Sequence, residues 1–324
     1  MDKFLTPVSV STDSLSPFNR DQHFVSLGSC FADSIGRKLG DNKWTSLLNP
    51  FGTVFHPFAI FDLLKEKDGL KQDLFLEHEE RVYHYRLPKV FSAKTRIDFE
   101  SKWQQEKAKL TAALSKPKSV LILTLGTSLL YSLKNEWVAN CHQQPSHLFQ
   151  KSLTAIESML ASWSGLFAEL PSHCQVIVTV SPVRHLKEGL SESSLSKSQL
   201  RVLADAMVKS DPLRIRYFPA YEIMMDELRD YRFYARDMLH PSEQAIDHIW
   251  DRFLEAYFSQ EARQSVATWQ KIKARLDHRP INPGTFEHKR FLLALQNDLE
   301  AFSDLSIDEE RAEVQRRLHA FPFI

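Results

Sequence analysis

Three cysteines in 324 residues, Cys30, Cys141 and Cys174, cannot build a disulfide framework, and none stands at the paired spacing of a zinc site. Glycine is scarce at nine residues, and no glycine-rich phosphate loop is among them. No apolar run is long enough to span a bilayer. The opening Met1-Asp2-Lys3-Phe4-Leu5-Thr6-Pro7 lacks the apolar core of a signal peptide, so a cytoplasmic location is expected. Charge of one sign is also missing: 41 Lys and Arg face 41 Asp and Glu. That balance argues against a general nucleic-acid binder and leaves room only for a local basic pocket. No internal repeat or low-complexity tract occurs. What is present is an ordinary composition in a chain long enough to bury a large core.

The apolar run Phe24-Val25-Ser26-Leu27 stops at Gly28-Ser29, and apolar residues then recur at helical spacing at Phe31, Ile35 and Leu39. A short strand over 44–48 leads into Asn49-Pro50-Phe51-Gly52-Thr53, where Pro and Gly mark a turn. Pro57 opens a helix through Leu64. Residues 74–92 read as short strands or an ordered insertion, and 99–114 as an amphipathic helix. The run 119–125 is apolar on both faces, as a covered central parallel strand requires. A helix is expected over 149–170, a strand over 175–180, a Ser-rich loop over 189–198, a helix over 199–209 and a strand over 213–218. The helix after Ser242 carries Ile246, Ile249, Trp250, Phe253 and Tyr257 on one face. Alternation of this kind predicts an α/β fold: a three-layer α/β/α sandwich, doubly wound around a mostly parallel sheet, over residues 1–258. Residues 259–324 show no strand pattern and read as a helical C-terminal extension, with helices over 260–276, 286–302 and 307–319.

In such sheets reactive residues gather beyond the carboxyl ends of the strands. Ser29, Gly126-Thr127, Ser181-Pro182-Val183-Arg184-His185 and Asp237-Met238-Leu239-His240 all follow candidate strands. Ser29 stands at the apex of a strand-to-helix turn, beside unpaired first-turn amides that can stabilise negative charge. Taken alone, the stretch reads first as a plain N-cap. Asp237 and His240 are spaced so that the carboxylate can orient the imidazole, which then takes a proton from a serine. Cys30 is read as turning into the core, and Asn140-Cys141-His142 as a structural loop or pocket wall. Arg184 either holds an anionic or sugar-like group or pairs with a local carboxylate. The Tyr-Arg-Phe-Tyr segment over 231–234 is read as packing.

Gly28-Ser29-Cys30-Phe31-Ala32 resembles the signature of the GSCFA family. The resemblance continues through Asn49-Pro50-Phe51-Gly52-Thr53, Leu125-Gly126-Thr127, Ala139-Asn140-Cys141-His142, the segments 181–185 and 228–234, and Asp237-Met238-Leu239-His240-Pro241-Ser242. The family looks like a branch of the SGNH (GDSL-type) hydrolases, which implies an SGNH-like sandwich and a serine nucleophile. Carried over, Ser29 matches the nucleophile, His240 the base and Asp237 its orienting acid. The backbone of Ser29 and of Gly52 would line the oxyanion hole. Gly126-Thr127-Ser128-Leu129 departs from the usual Gly-x-Asn-Asp block, so Thr127, or Asn49 or Asn140 from a loop, stands in for the missing amide donor. Asn49, His142, Arg184 and His185 are the candidate substrate-binding residues. The resemblance implies a serine esterase or acyl hydrolase acting on an O-acyl group of a small-molecule or carbohydrate-like ester, by hydrolysis or acyl transfer. No metal or organic cofactor is expected. The alternatives are a non-catalytic binding or scaffold protein that keeps the fold, and a phosphate site at the helix amides beside Ser29.

Overall fold

Strand β5 (Ser119–Leu125) is buried at every position, and its neighbours β1 (His23–Gly28) and β9 (Gln175–Val180) at all but the first. Such runs survive only where both faces of a sheet are covered. The computed structural model, which describes residues 6–10, 16–65, 69–139, 145–302 and 305–321, shows that covering. With β2 (Thr45–Leu48) and β10 (Ile215–Phe218), these strands form one parallel five-stranded sheet in the order β2-β1-β5-β9-β10. The register places Val25 beside Leu121 and Leu121 beside Val176.

Alternate side chains therefore point to two separate cores. Val25, Leu121 and Val176 meet α2 (Pro57–Leu64), α3 (Arg96–Leu114), α4 (Ile156–Phe167) and α5 (Leu190–Ser210) on one face. Phe24, Val120 and Ile177 meet α1 (Cys30–Asp41) and α7 (Glu243–Tyr257) on the other. Between β2 and α3 lies a hairpin of β3 (Phe75–His78) and β4 (Arg81–His84). Its two-residue turn, Glu79-Glu80, has both residues at positive φ, the twist that a tight hairpin needs.

Two expectations need correction. Residues 149–170 are not one helix: β8 (Gln150–Leu153) pairs with β6 (Leu129–Leu133), which also pairs with β7 (Glu136–Val138), and α4 begins only at Ile156. Non-local pairing overrides the local helical pattern there. The Ser-rich stretch is not a loop either, because α5 starts at Leu190. Ser193 and Ser196 are buried, and Ser196 bonds the Ser128 amide across the domain, so its hydroxyl does not compete with its own helix backbone.

After β10 the chain forms a single turn, α6 (Ala220–Glu222), a π-helical turn (Ile223–Glu227) and a loop that ends at α7 (Glu243–Tyr257), capped by Ser242. The extension follows as α8 (Gln260–Leu276), α9 (Phe286–Glu300) and α10 (Asp308–His319). Its own core joins Trp269, Ile272, Leu295, Leu299 and Val314, whereas Ala262 and Val266 at the start of α8 still pack on the sheet domain. Trp269 Nε1 donates to the Asp41 carbonyl at 2.7 Å, and Lys43 pairs with Glu310, so the extension docks on the far end of α1. No helix among the described residues is long and apolar enough to cross a membrane.

Candidate active site

Strand order reverses between β1 and β5, and α/β folds place their sites beyond the carboxyl ends of the strands at such a switch point. Gly28, with φ +137°, closes β1 there. A Cβ on Gly28 would lie 2.2 Å from the Thr124 carbonyl oxygen, so only glycine allows the two backbones to meet. Ser29 N–H then donates to that same oxygen at 3.1 Å, and the chain turns into α1 with Ser29 at the N-cap and Cys30 as the first helical residue.

The turn is held by Asn49. Its Oδ1 accepts from Gly28 N–H at 2.9 Å, its Nδ2 donates to Asp33 Oδ1 at 2.7 Å, and its own N–H reaches Ser26 O. Asn49 is buried, and both ends of its amide take part in this clamp, so the structure gives it a role in holding the turn. Gly52 N–H is likewise engaged: it donates to Asn49 O at 2.7 Å and closes the turn.

His240 arrives from the loop before α7. Its Nδ1 lies 2.6 Å from Asp237 Oδ2, while Asp237 Oδ1 accepts from the N–H groups of Leu239 and His240. Met238 takes φ +59° to bring both amides onto the carboxylate. These donors hold the Asp237 carboxyl down at about 2, the His240 and Leu239 amides first and the ring after them. The loop is fastened by Ala235 N–H on His240 O and by Arg184 N–H on Leu239 O.

The other ring nitrogen departs from the arrangement expected for a serine. His240 Nε2 lies 3.3 Å from Cys30 Sγ, not on Ser29. Ser29 Oγ is buried with no hydrogen-bond partner among the described residues, and it does not cap α1. The reason is local. The N-cap residue keeps an extended backbone that turns its side chain inward, and the first helical residue faces the imidazole. Cys30, expected in the core, is half-buried at the site. Burial pushes its thiol up, and the charge of Asp33 adds to that; the N–H groups of Cys30 and Phe31 and the charge of Lys197 act against it. The side chains of His240 and Asp237 are both 46% exposed, so the relay is open to solvent.

Below the turn lies Lys197, 2% exposed, donating to Gly126 O at 2.7 Å and Ser181 O at 2.8 Å. Desolvation pushes its ammonium down to about 7. Sequence reasoning passed over it, although Lys197 shares a helix face with Leu200, Ala204 and Met207, where a lysine is out of place. His185 Nε2 sits 3.3 Å from the same Gly126 oxygen, and burial followed by the Lys197 charge pushes its ring below the usual histidine value. Thr127, an expected oxyanion donor, has its N–H on Phe55 O and its hydroxyl on Ser196 Oγ. Arg184 has no carboxylate partner among the described residues; its Nη1 rests on Met225 Sδ at 3.4 Å. Asn140 and His142 lie outside the described residues. Among the described residues no group of three or more His, Cys, Asp or Glu is placed to hold a metal ion.

A model of the GSCFA family matches residues 23–253, which contain every element of this site. A second, for the GSCFA domain protein C-terminal domain, matches residues 269–320. No curated protein and no solved structure matches the chain.

Proposed function

The chain belongs to the GSCFA family, and from the Cys30–His240–Asp237 relay we propose that it is a cysteine-dependent acyl hydrolase or acyltransferase. Asp237 accepts a hydrogen bond from the Nδ1–H of His240, which leaves Nε2 free to accept a proton. Nε2 takes the proton from Cys30 Sγ, and the sulfur electron pair attacks the carbonyl carbon of an acyl ester. The first-turn N–H groups of α1 face the oxyanion that forms. Collapse breaks the bond to the alcohol oxygen, which leaves with the proton held on His240, and Cys30 carries a thioester. Water, or an acceptor hydroxyl, then gives its proton to His240 and attacks the thioester carbonyl. The acid or the new ester departs, and the proton returns to sulfur. Ester chemistry, an SGNH-type fold and an O-acyl carbohydrate-like substrate are supported by the resemblance carried in the sequence blocks. Cys30 takes the place there assigned to Ser29. The single observation that supports this exchange is the 3.3 Å approach of His240 Nε2 to Cys30 Sγ, with Ser29 Oγ left unpartnered.

The test is intact-mass analysis after brief exposure to 4-nitrophenyl acetate. Wild type and Ser29→Ala are expected to carry one acetyl group on Cys30, and Cys30→Ala and His240→Ala to carry none there. An adduct that survives Cys30→Ala and disappears in Ser29→Ala returns the role to the serine. Wild type with no adduct removes acyl transfer altogether.

A further inference from the structure

The ammonium of Lys197 is buried, and both of its acceptors, the Gly126 and Ser181 carbonyls, are uncharged. Among the described residues no carboxylate pairs with it. A buried cation held only by neutral dipoles is costly, and removing its counter-charge usually destabilises a fold strongly. The neighbouring groups make matters worse. Arg184 repels Lys197, and His185 shares the Gly126 oxygen with it. The nearby carboxylates are committed elsewhere: Asp237 to His240, Asp33 to Asn49, Glu188 to Tyr131 and Lys151.

Strand register says what is close. Gly126 and Ser181 follow β5 and β9 directly, and Ser181 N–H is bonded to Leu125 O. Thr124, two residues before Gly126, carries the Ser29 amide, so the ammonium and the turn that presents Cys30 share one end of β5. The interaction is mutual: the Lys197 charge draws the thiol down, and a thiolate at Cys30 draws the ammonium up. The missing anion is the one that forms when His240 takes the sulfur proton.

We infer that Lys197 is the fixed counter-charge of the Cys30 thiolate, a positioning residue that acts through the nucleophile and never touches substrate. This rests on the proposal that Cys30 is the nucleophile. It gives a role to a charge that the relay itself leaves unused. It also accounts for a lysine at a position where methionine would fill the same space and glutamine would still reach one carbonyl.

The experiment follows alkylation of Cys30 by iodoacetamide across pH, read by peptide mass, in wild type, Lys197→Met and Lys197→Gln. Cys174, fully buried, reports folding by staying unmodified. The Cys30 midpoint is expected to rise by a unit or more, which makes alkylation about tenfold slower at neutral pH. A variant that protects Cys174 yet alkylates Cys30 with the wild-type profile reduces Lys197 to a strut and overturns the inference. A second measurement leaves Lys197 in place: ¹³C-lysine NMR titration of wild type against Cys30→Ser. Burial leaves the thiol titrating above Lys197, so the coupling acts on the upper end of the lysine curve: in wild type that end is expected to stretch to higher pH as Cys30 ionises, in Cys30→Ser it is not, and superimposable curves overturn the inference. Should both lysine variants expose Cys174, this comparison decides. Acetyl transfer from 4-nitrophenyl acetate is scored separately. A shifted alkylation profile without acetylation keeps the counter-charge and removes the acyl chemistry; acetylation with an unshifted profile does the reverse.

Discussion

Replacing Asn49 separates two roles for one side chain, because the sequence places it on the substrate and the structure places it under the turn. In Asn49→Ala the Gly28 N–H loses its acceptor at a buried site, and Asp33 loses the amide that donates to its carboxylate. An orphaned buried N–H costs about 1–3 kcal/mol, and a lost bond to a charged group about 1.5–3 kcal/mol. The sum, about 2.5–6 kcal/mol, is a large part of the ~5–15 kcal/mol that holds a typical domain together. Urea unfolding should show a lower midpoint at unchanged slope, together with faster alkylation of Cys30 as the turn loosens. Asn49→Asp keeps an acceptor for Gly28 and sets two carboxylates against each other. It should be destabilised at neutral pH and recover part of the loss as acid protonates one of them. An Asn49→Ala protein that unfolds at the wild-type urea concentration but fails to take an acetyl group would refute the clamp and return Asn49 to the substrate.

Two further outcomes bear on the site. Asp237 has a carboxyl held down at about 2, below its unfolded value, so it stays ionised throughout any ordinary assay range and loses its native bonds only as pH falls toward that value. Asp237→Asn should therefore lower kcat on the order of 10²- to 10⁴-fold at every pH from about 5 to 9, with no new acid limb in the profile. Arg184 has no carboxylate among the described residues and lies one backbone hydrogen bond from the His240 loop. Arg184→Ala should raise KM about tenfold or more for acyl esters that carry a carboxylate or phosphate, the worth of one charge-assisted hydrogen bond, and leave neutral esters unchanged. Steady-state kinetics on a matched pair of esters checks it.

The parallel strands were legible because burial on both faces demands runs such as Val120-Leu121-Ile122-Leu123, which need no partner to be recognised. Helix α7 was equally plain, with its Ser242 cap and one apolar face. Residues Gln150–Leu153 were misread because their strand exists only by pairing with β6, and the Ser-rich start of α5 because its serines bond across the domain instead of locally. The loop geometry of Asp237 and His240 followed from a spacing of three, a local matter.

By itself, then, the sequence determined the buried strands, the Gly28 turn into a helix, and a carboxylate set beside an imidazole. Each depends on residues only a few positions apart. Which of two adjacent side chains meets that imidazole was decided by tertiary structure alone: His240 is 210 residues from Cys30, and a single step at the helix start turns Ser29 inward and Cys30 toward the ring. The same holds for Lys197, whose charge acquires meaning only when α5 carries it to the two carbonyl oxygens that follow β5 and β9, at the end of the sheet where α1 begins. Local patterns record hydrogen bonding and burial along the chain, whereas the partners of a buried charge are set by contacts between segments that the chain order leaves far apart.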